Sequence, residues 1–171
     1  AAFEQVMYEG YAPHGVAMMI EVITDNRNRT VAEIRHLLSR AGGNMAEAGS
    51  VAWQFKRVAY FVLPAAGVDS DKVFELAVEA GADDVSVGDD SIEIAAPVDA
   101  FKAVNDQLAK AGHKPTEAEL RMNPTSVVEL RPDQALQVMR IIESLEELDD
   151  VQRVYSTLQV TDEAVALLET A

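Results

Sequence analysis

The chain has no cysteine among its 171 residues. That removes disulfides, thiol nucleophiles and thiolate metal sites, and it fits a reducing compartment. No apolar run approaches the ~20 residues of a helical membrane span, and the first residues lack the basic start and apolar middle of a secretory signal. Basic residues are scarce: 14 Lys and Arg stand against 29 Asp and Glu, a net charge of −15. Such a balance keeps a protein soluble and away from polyanions, so any nucleic-acid contact has to be local. There are only three histidines, His14, His36 and His113. No two have the i, i+4 spacing of a helical metal site. No Walker A loop, G-x-G-x-x-G or G-x-S-x-G occurs, the last being checked around Ser50. The acid pairs Asp83-Asp84, Asp89-Asp90 and Asp149-Asp150 lack calcium-loop spacing and read as turn residues. The expectation is a protein that is not an enzyme, with no catalytic residues, no cofactor and no metal.

What is present is a core and an uneven charge. Apolar residues make up 49%, enough to fold. Residues 1–57 hold six basic and six acidic side chains, net 0; residues 58–123 hold five and thirteen, net −8; residues 124–171 hold three and ten, net −7. The arginine-rich chemistry therefore lies in the first third, above all in Thr24-Asp25-Asn26-Arg27-Asn28-Arg29-Thr30. This stretch follows an apolar strand pattern and precedes a helical one. Arg27 and Arg29 carry planar donor forks suited to phosphate, next to the positive end of a helix dipole. Asn26 and Asn28 shape the turn or donate to RNA, and Arg35 follows on the helix. The other reading pairs these arginines with acids such as Asp25 or Glu21. Between Gly10 and Gly15, Tyr11, Pro13 and His14 make a loop able to present a stacking tip to RNA bases; the alternative is an ordinary hairpin loop.

In chain order, the patterns predict strands at 3–11 and 16–24 and a helix from about 31 to 41, opened by a Thr30/Glu33 capping box and closed by Gly42-Gly43. Asn44 to Gly49 reads as a loop. Residues 50–56 alternate as a strand that places Trp53 in the core rather than on a stacking surface. Then come a strand at 59–63, a helix at 70–80, strands at 83–87 and 91–95, a helix at 98–111 and a strand at 117–122, the β-α-β-β-α-β order of a ferredoxin-like unit. A strand at 126–130, a helix from Pro132 to about Leu148, a strand at 151–158 and a final helix capped by Thr161 complete the chain. The fold class expected is α+β in two domains. Residues 1–57 plus 124–171 form a discontinuous α/β sandwich, with 58–123 inserted as the ferredoxin-like domain.

Six runs together resemble one family: Tyr8-Glu9-Gly10-Tyr11, Thr24 through Glu33, Gly42-Gly43-Asn44, Gly49-Ser50-Val51-Ala52-Trp53, Glu79-Ala80-Gly81-Ala82-Asp83-Asp84-Val85 and Asp149-Asp150-Val151-Gln152. The chain is similar over nearly its whole length to the YebC/PmpR family, which includes the mitochondrial translational activator of cytochrome c oxidase. It looks like that family's second and third domains, without the basic N-terminal helical domain. The Ala-Ala-Phe start is expected on that reading. Where the family has Gly-Pro-Gly-Gly, this chain has Ala12-Pro13-His14-Gly15. The resemblance implies a cytoplasmic, ribosome-associated translation factor that contacts ribosomal RNA and relieves stalling, for example at proline-rich stretches. One alternative is a DNA-binding transcriptional regulator, although the helix after Pro132 is too acidic to read a groove. Another is a small-ligand sensing or oligomerisation module centred on 58–123. The nucleic-acid-binding set expected is Arg27, Arg29, Asn26, Asn28, Arg35, Tyr11, Pro13 and His14, with no membrane partner.

Overall fold

The alternation of Met18, Ile20 and Val22 against Ala17, Met19 and Ile23 gives a strand apolar on both faces, and such a strand belongs inside a sheet. The computed structural model, which describes residues 2–170, places it there. β2 (Ala17–Thr24) pairs antiparallel with β1 (Glu4–Tyr11), from Glu4 opposite Thr24 to Tyr11 opposite Ala17. Its other edge carries β8 (Val151–Ser156), and β1 carries the short β3 (Asn44–Ala46), for a sheet order of β3-β1-β2-β8. α1 (Arg27–Arg40) and α4 (Pro132–Glu146) lay apolar stripes on one face of this sheet. Ile34 and Leu38 from α1, and Val138 and Leu145 from α4, are buried with Met18, Ile20 and Val22. Each such side chain contributes roughly 1.5–3 kcal/mol relative to exposure. α5 (Asp162–Thr170) follows, with the Thr161 hydroxyl accepting the Ala164 N–H at 3.2 Å.

The chain divides into two compact units, the residues up to Lys56 together with those from Pro124 forming one, and Arg57–Asn123 the other. The second unit runs β4 (Phe55–Pro64), α2 (Ser70–Glu79), β5 (Asp84–Val87), β6 (Ser91–Ala96), α3 (Phe101–Lys110) and β7 (Glu117–Pro124). Its strand order is β5-β6-β4-β7. The β-α-β-β-α-β sequence thus closes as a split βαβ sheet over its own core of Phe61, Leu63, Val73, Ile92, Ile94, Val104 and Leu108. Two four-stranded sheets and five α-helices among the described residues make the protein α+β.

Five local expectations are corrected. α1 begins four residues earlier than predicted, at Arg27, with Asn26 as its cap. Thr30 has capping-box spacing to Glu33, yet its hydroxyl is buried inside the first turn. The segment after Gly43 is not all loop, because β3 adds to the edge of β1. Residues 50–54 are no strand: a 3-10 turn at Ala52–Gln54 intervenes, and Trp53 is 73% exposed rather than in the core. Residues 126–130 form no ladder strand. They touch β8's continuation only through the isolated parallel bridge of Val128 to Leu158, with Val128 N–H donating to Thr157 O at 2.7 Å.

The C-terminal end of α1 is the tightest joint in the first unit. Gly42 takes φ +87, the left-handed cap conformation, and the Gly43 N–H returns to Leu38 O at 2.8 Å. Gly43 then passes so close to β1 that a Cβ there would lie 2.3 Å from the Tyr11 carbonyl oxygen. This joint fixes the loop between β1 and β2 against the end of α1.

Candidate nucleic-acid interface

Seven of the eight residues expected to bind nucleic acid fall at two ends of the first sheet. Asn26, Arg27, Asn28 and Arg29 form the first turn of α1, beyond the Glu4/Thr24 end of the β1–β2 ladder. Tyr11, Pro13 and His14 lie at the Tyr11/Ala17 end. Seven strand steps of ~3.3 Å put about 23 Å between the two ends. Arg35 lies between them, on the flank of α1 that faces a cleft with Asn44, Met45, Ala46 and Glu47.

At the N-terminal end of α1 the arginines already hold carboxylates. Asn26 Oδ1 accepts the Arg29 N–H at 3.1 Å. Arg27 is paired with Glu4. Arg29 reaches Asp25 Oδ1 at 3.0 Å and Asp150 Oδ2 at 2.9 Å. Both guanidiniums are consequently held above their ordinary pKa, by hydrogen bonds to Glu4 for Arg27 and to Asp150 and Asp25 for Arg29. Asp150 is the hub. It accepts the Thr30 hydroxyl at 2.6 Å as well as Arg29, and these bonds hold it below the usual carboxylate range. The cavity beside Arg29 is also lined by Asp25, Glu33, Glu147, Asp149 and Asp150. Five carboxylates against one arginine make this end repel a polyanion, and the protein's own acids already answer the helix dipole.

The loop at the other end is pinned on three sides. Ala12 N–H donates to Val16 O at 2.9 Å. Pro13 packs over the Gly42 cap. His14 Nε2 meets Gln137 Oε1 of α4 at 2.8 Å. His14 has φ +68, a left-handed conformation that glycine adopts freely and other residues rarely do. Tyr11 is half-buried, its hydroxyl 3.4 Å from Gln54 Nε2.

Two features escape the sequence patterns. The first is the turn that displays Trp53. Glu9 points from β1 away from the helices and is only 6% exposed. Its carboxylate accepts the N–H groups of Gly49, Val51 and Ala52 at 2.7, 2.8 and 2.7 Å. Burial alone would raise its pKa, but the three N–H donors outweigh that and hold it below the ordinary value. The Trp53 Nε1–H then donates to Ser50 O at 2.9 Å. A buried carboxylate thus locks a turn whose aromatic side chain faces solvent. No local pattern marks this, since Glu9 and its donors are some forty positions apart.

The second is the distribution of cations over α1. Every arginine among residues 1–55 lies on this helix: Arg27, Arg29, Arg35 and Arg40, all exposed. Their roles differ with position. Arg27 and Arg29 are tied to acids, whereas Arg35 and Arg40 take part in no ion pair among the described residues. The positive charge that remains available therefore lies toward the C-terminal half of α1, the end that also carries Tyr11, Pro13 and His14.

Comparison with known proteins agrees with the resemblance read from the sequence. Residues 3–158 match the family model described as "TACO1/YebC second and third domain". The chain is 48% identical over 168 residues to a probable transcriptional regulatory protein of Acidithiobacillus ferrooxidans, covering 98% of this chain and 66% of that protein. It is 47% identical over 165 residues to the transcriptional regulatory protein PmpR of Pseudomonas aeruginosa, covering 96% and 66%. The crystal structure of a conserved hypothetical protein from Aquifex aeolicus superposes with a TM-score of 0.85 at 38% identity, covering 94% of this chain and 66% of that one. The chain thus spans about two thirds of the length of the relatives it matches. No helix among the described residues is long and apolar enough to cross a membrane.

Proposed function

The chain belongs to the TACO1/YebC family, and from that premise we propose that it is part of a non-enzymatic, cytoplasmic translation factor that contacts ribosomal RNA and relieves stalled elongation. The observation that carries this reading is the placing of every arginine of the first 55 residues on the exposed surface of α1, in a chain of net charge −15. A single basic element on an acidic body gives a local phosphate contact and keeps the rest of the molecule off the polyanion. Trp53, exposed and held by its own turn, is a stacking surface of the kind unpaired RNA bases use. Of the residues expected from sequence, Arg35, Tyr11, Pro13 and His14 lie on the available side. Arg27 and Arg29 join the contact only by exchanging their present carboxylate partners for phosphate, with Asn26 and Asn28 beside them in the same turn.

The names of the curated relatives favour a second reading, a DNA-binding transcriptional regulator. The local fold gives it less support. α1 is followed by strand β3, not by a second helix in the manner of a helix-turn-helix. Its unpaired arginines lie on two different flanks, Arg35 toward β3 and Arg40 toward α4.

A reconstituted translation reaction tests the proposal. The message encodes a run of prolines, and the protein is supplied both as this chain and joined to the remaining third of a relative. The expected result is more full-length product and less stalled peptidyl-tRNA, with no effect on a proline-free message. An unchanged ratio with both proteins would refute the translation-factor reading.

A further inference from the structure

α1 and α4 run over the same sheet and leave an open groove of about 590 Å3 between their outward flanks, a volume within the range of small-ligand sites. Leu37 and Ile141 form part of its floor, and Arg40, His36 and Arg140 stand in its walls with Glu33 the one acid. Arg40 and Arg140 come from different helices and are both exposed. Neither forms an ion pair among the described residues, in contrast to Arg27, Arg29 and Arg131. In a chain with twice as many acids as bases, two unpartnered guanidiniums against one carboxylate make this groove a positive site. Two like charges lining one groove favour an anion between them. The apolar lining of Leu37, Ala41, Ile141 and Leu148 makes the site unlike a simple counter-ion position, because it suits a ligand with a hydrophobic face. A nucleotide has both parts, phosphates for the planar donor forks and a base for the floor.

We infer that the α1–α4 groove binds a single-stranded RNA segment, Arg40 and Arg140 each taking one of two successive phosphates while the intervening base lies over Leu37 and Ile141. His36 adds a ring N–H at the rim. This inference rests on the RNA-contacting reading above and names the part of the surface that carries it. Ser144, whose hydroxyl donates to Arg140 O at 3.0 Å, also lines the groove, and its oxygen can accept from a ribose hydroxyl.

The test is fluorescence anisotropy with a short, end-labelled, single-stranded RNA of mixed sequence, over a salt series, with circular dichroism to check folding. Three proteins are compared: the wild type, Arg40→Ala with Arg140→Ala, and Arg40→Lys with Arg140→Lys. The alanine pair should weaken binding at least tenfold. It should also make the slope of log K against log salt shallower by about 1.4, two phosphates at about 0.7 each for a single strand. The lysine pair should restore the slope but not the full affinity, since the charge returns without the fork. If the wild type binds and the alanine pair binds equally well with the same slope, the groove is not the RNA site, and the broader reading survives. Displacement of the RNA by an acidic peptide that binds wild type more tightly would assign the groove to a protein partner and overturn the inference. If the wild type binds no RNA even at low salt, this inference and the RNA-contacting reading fail together.

Discussion

Replacing Glu9 with alanine should destabilise the protein by about 3 kcal/mol, the scale set by leaving the buried Val51 N–H and two part-buried N–H groups without their acceptor. Three backbone donors converge on this one carboxylate, which is itself only 6% exposed. Glu9→Gln should cost less, about 1–2 kcal/mol. Its amide oxygen can still accept from Val51 and Ala52, while its NH2 group meets the Gly49 N–H donor to donor. The pH dependence has a definite sign. Glu9 is held below its ordinary pKa in the folded protein, so its contribution is present above the unfolded value of 4.5 and is lost as pH falls through the depressed folded value. Asp150, also depressed, acts in the same direction. The stability gap between wild type and Glu9→Ala should therefore be full at neutral pH and shrink in acid. The readout is built in, because Trp53 is the protein's only tryptophan and rides on the turn that Glu9 holds. Urea unfolding followed by Trp53 emission and by far-ultraviolet dichroism should show the turn loosening in the variant. A difference below about 0.5 kcal/mol, within the range of ordinary surface substitutions, would show that Glu9 does not organise the turn.

Gly43→Ala should be nearly as damaging, at about 2–4 kcal/mol, the cost of forcing atoms into a packed site that has no room. The added Cβ would lie 2.3 Å from the Tyr11 carbonyl oxygen, and that oxygen is backbone in a strand paired on both sides. No side-chain rotation relieves the clash. Either the Gly43 N–H bond to Leu38 O breaks, or β3 moves away from β1. Both routes displace the Tyr11–His14 loop from the end of α1. RNA binding should fall along with stability. Chemical denaturation measures the first and anisotropy the second. A stable variant with unchanged RNA affinity would mean that the joint between α1 and the loop is not needed by the interface.

Much of the fold is legible from sequence because it is written in local periodicity. The stripe of Leu136, Met139, Ile142 and Leu145 marks α4, and the two-sided apolar pattern of 16–24 marks a central strand. The misses have a common physical origin in partners far along the chain. Thr30 and Glu33 have capping-box spacing, but the Thr30 hydroxyl is taken by Asp150, 120 residues away, and Asn26 becomes the cap. Val51, Trp53 and Phe55 alternate like a strand, but Glu9 captures the preceding N–H groups and curls the segment into a turn. The site is legible only in part for the same reason. Arg27 and Arg29 are conspicuous in sequence, yet Glu4 and Asp150, which occupy them, are placed by the sheet. Arg40 is visible as an off-stripe residue of its helix. Arg140 enters only once α4 is laid beside α1.

On the proposed function, α1 brings a local positive surface to ribosomal RNA. The most direct test is co-sedimentation with purified ribosomes over a salt series, with unlabelled duplex DNA as competitor. The proteins are the wild type and a variant with Arg35 and Arg40 both changed to alanine, each joined to the remaining third of a relative. Wild type should pellet with ribosomes at low salt, resist the duplex competitor, and be released as salt rises. The variant should be released at lower salt, its slope shallower by roughly 1.4 to 1.8 for two lost phosphate contacts. A folded wild type that stays in the supernatant at every salt, or that duplex DNA strips from the ribosome, would contradict it.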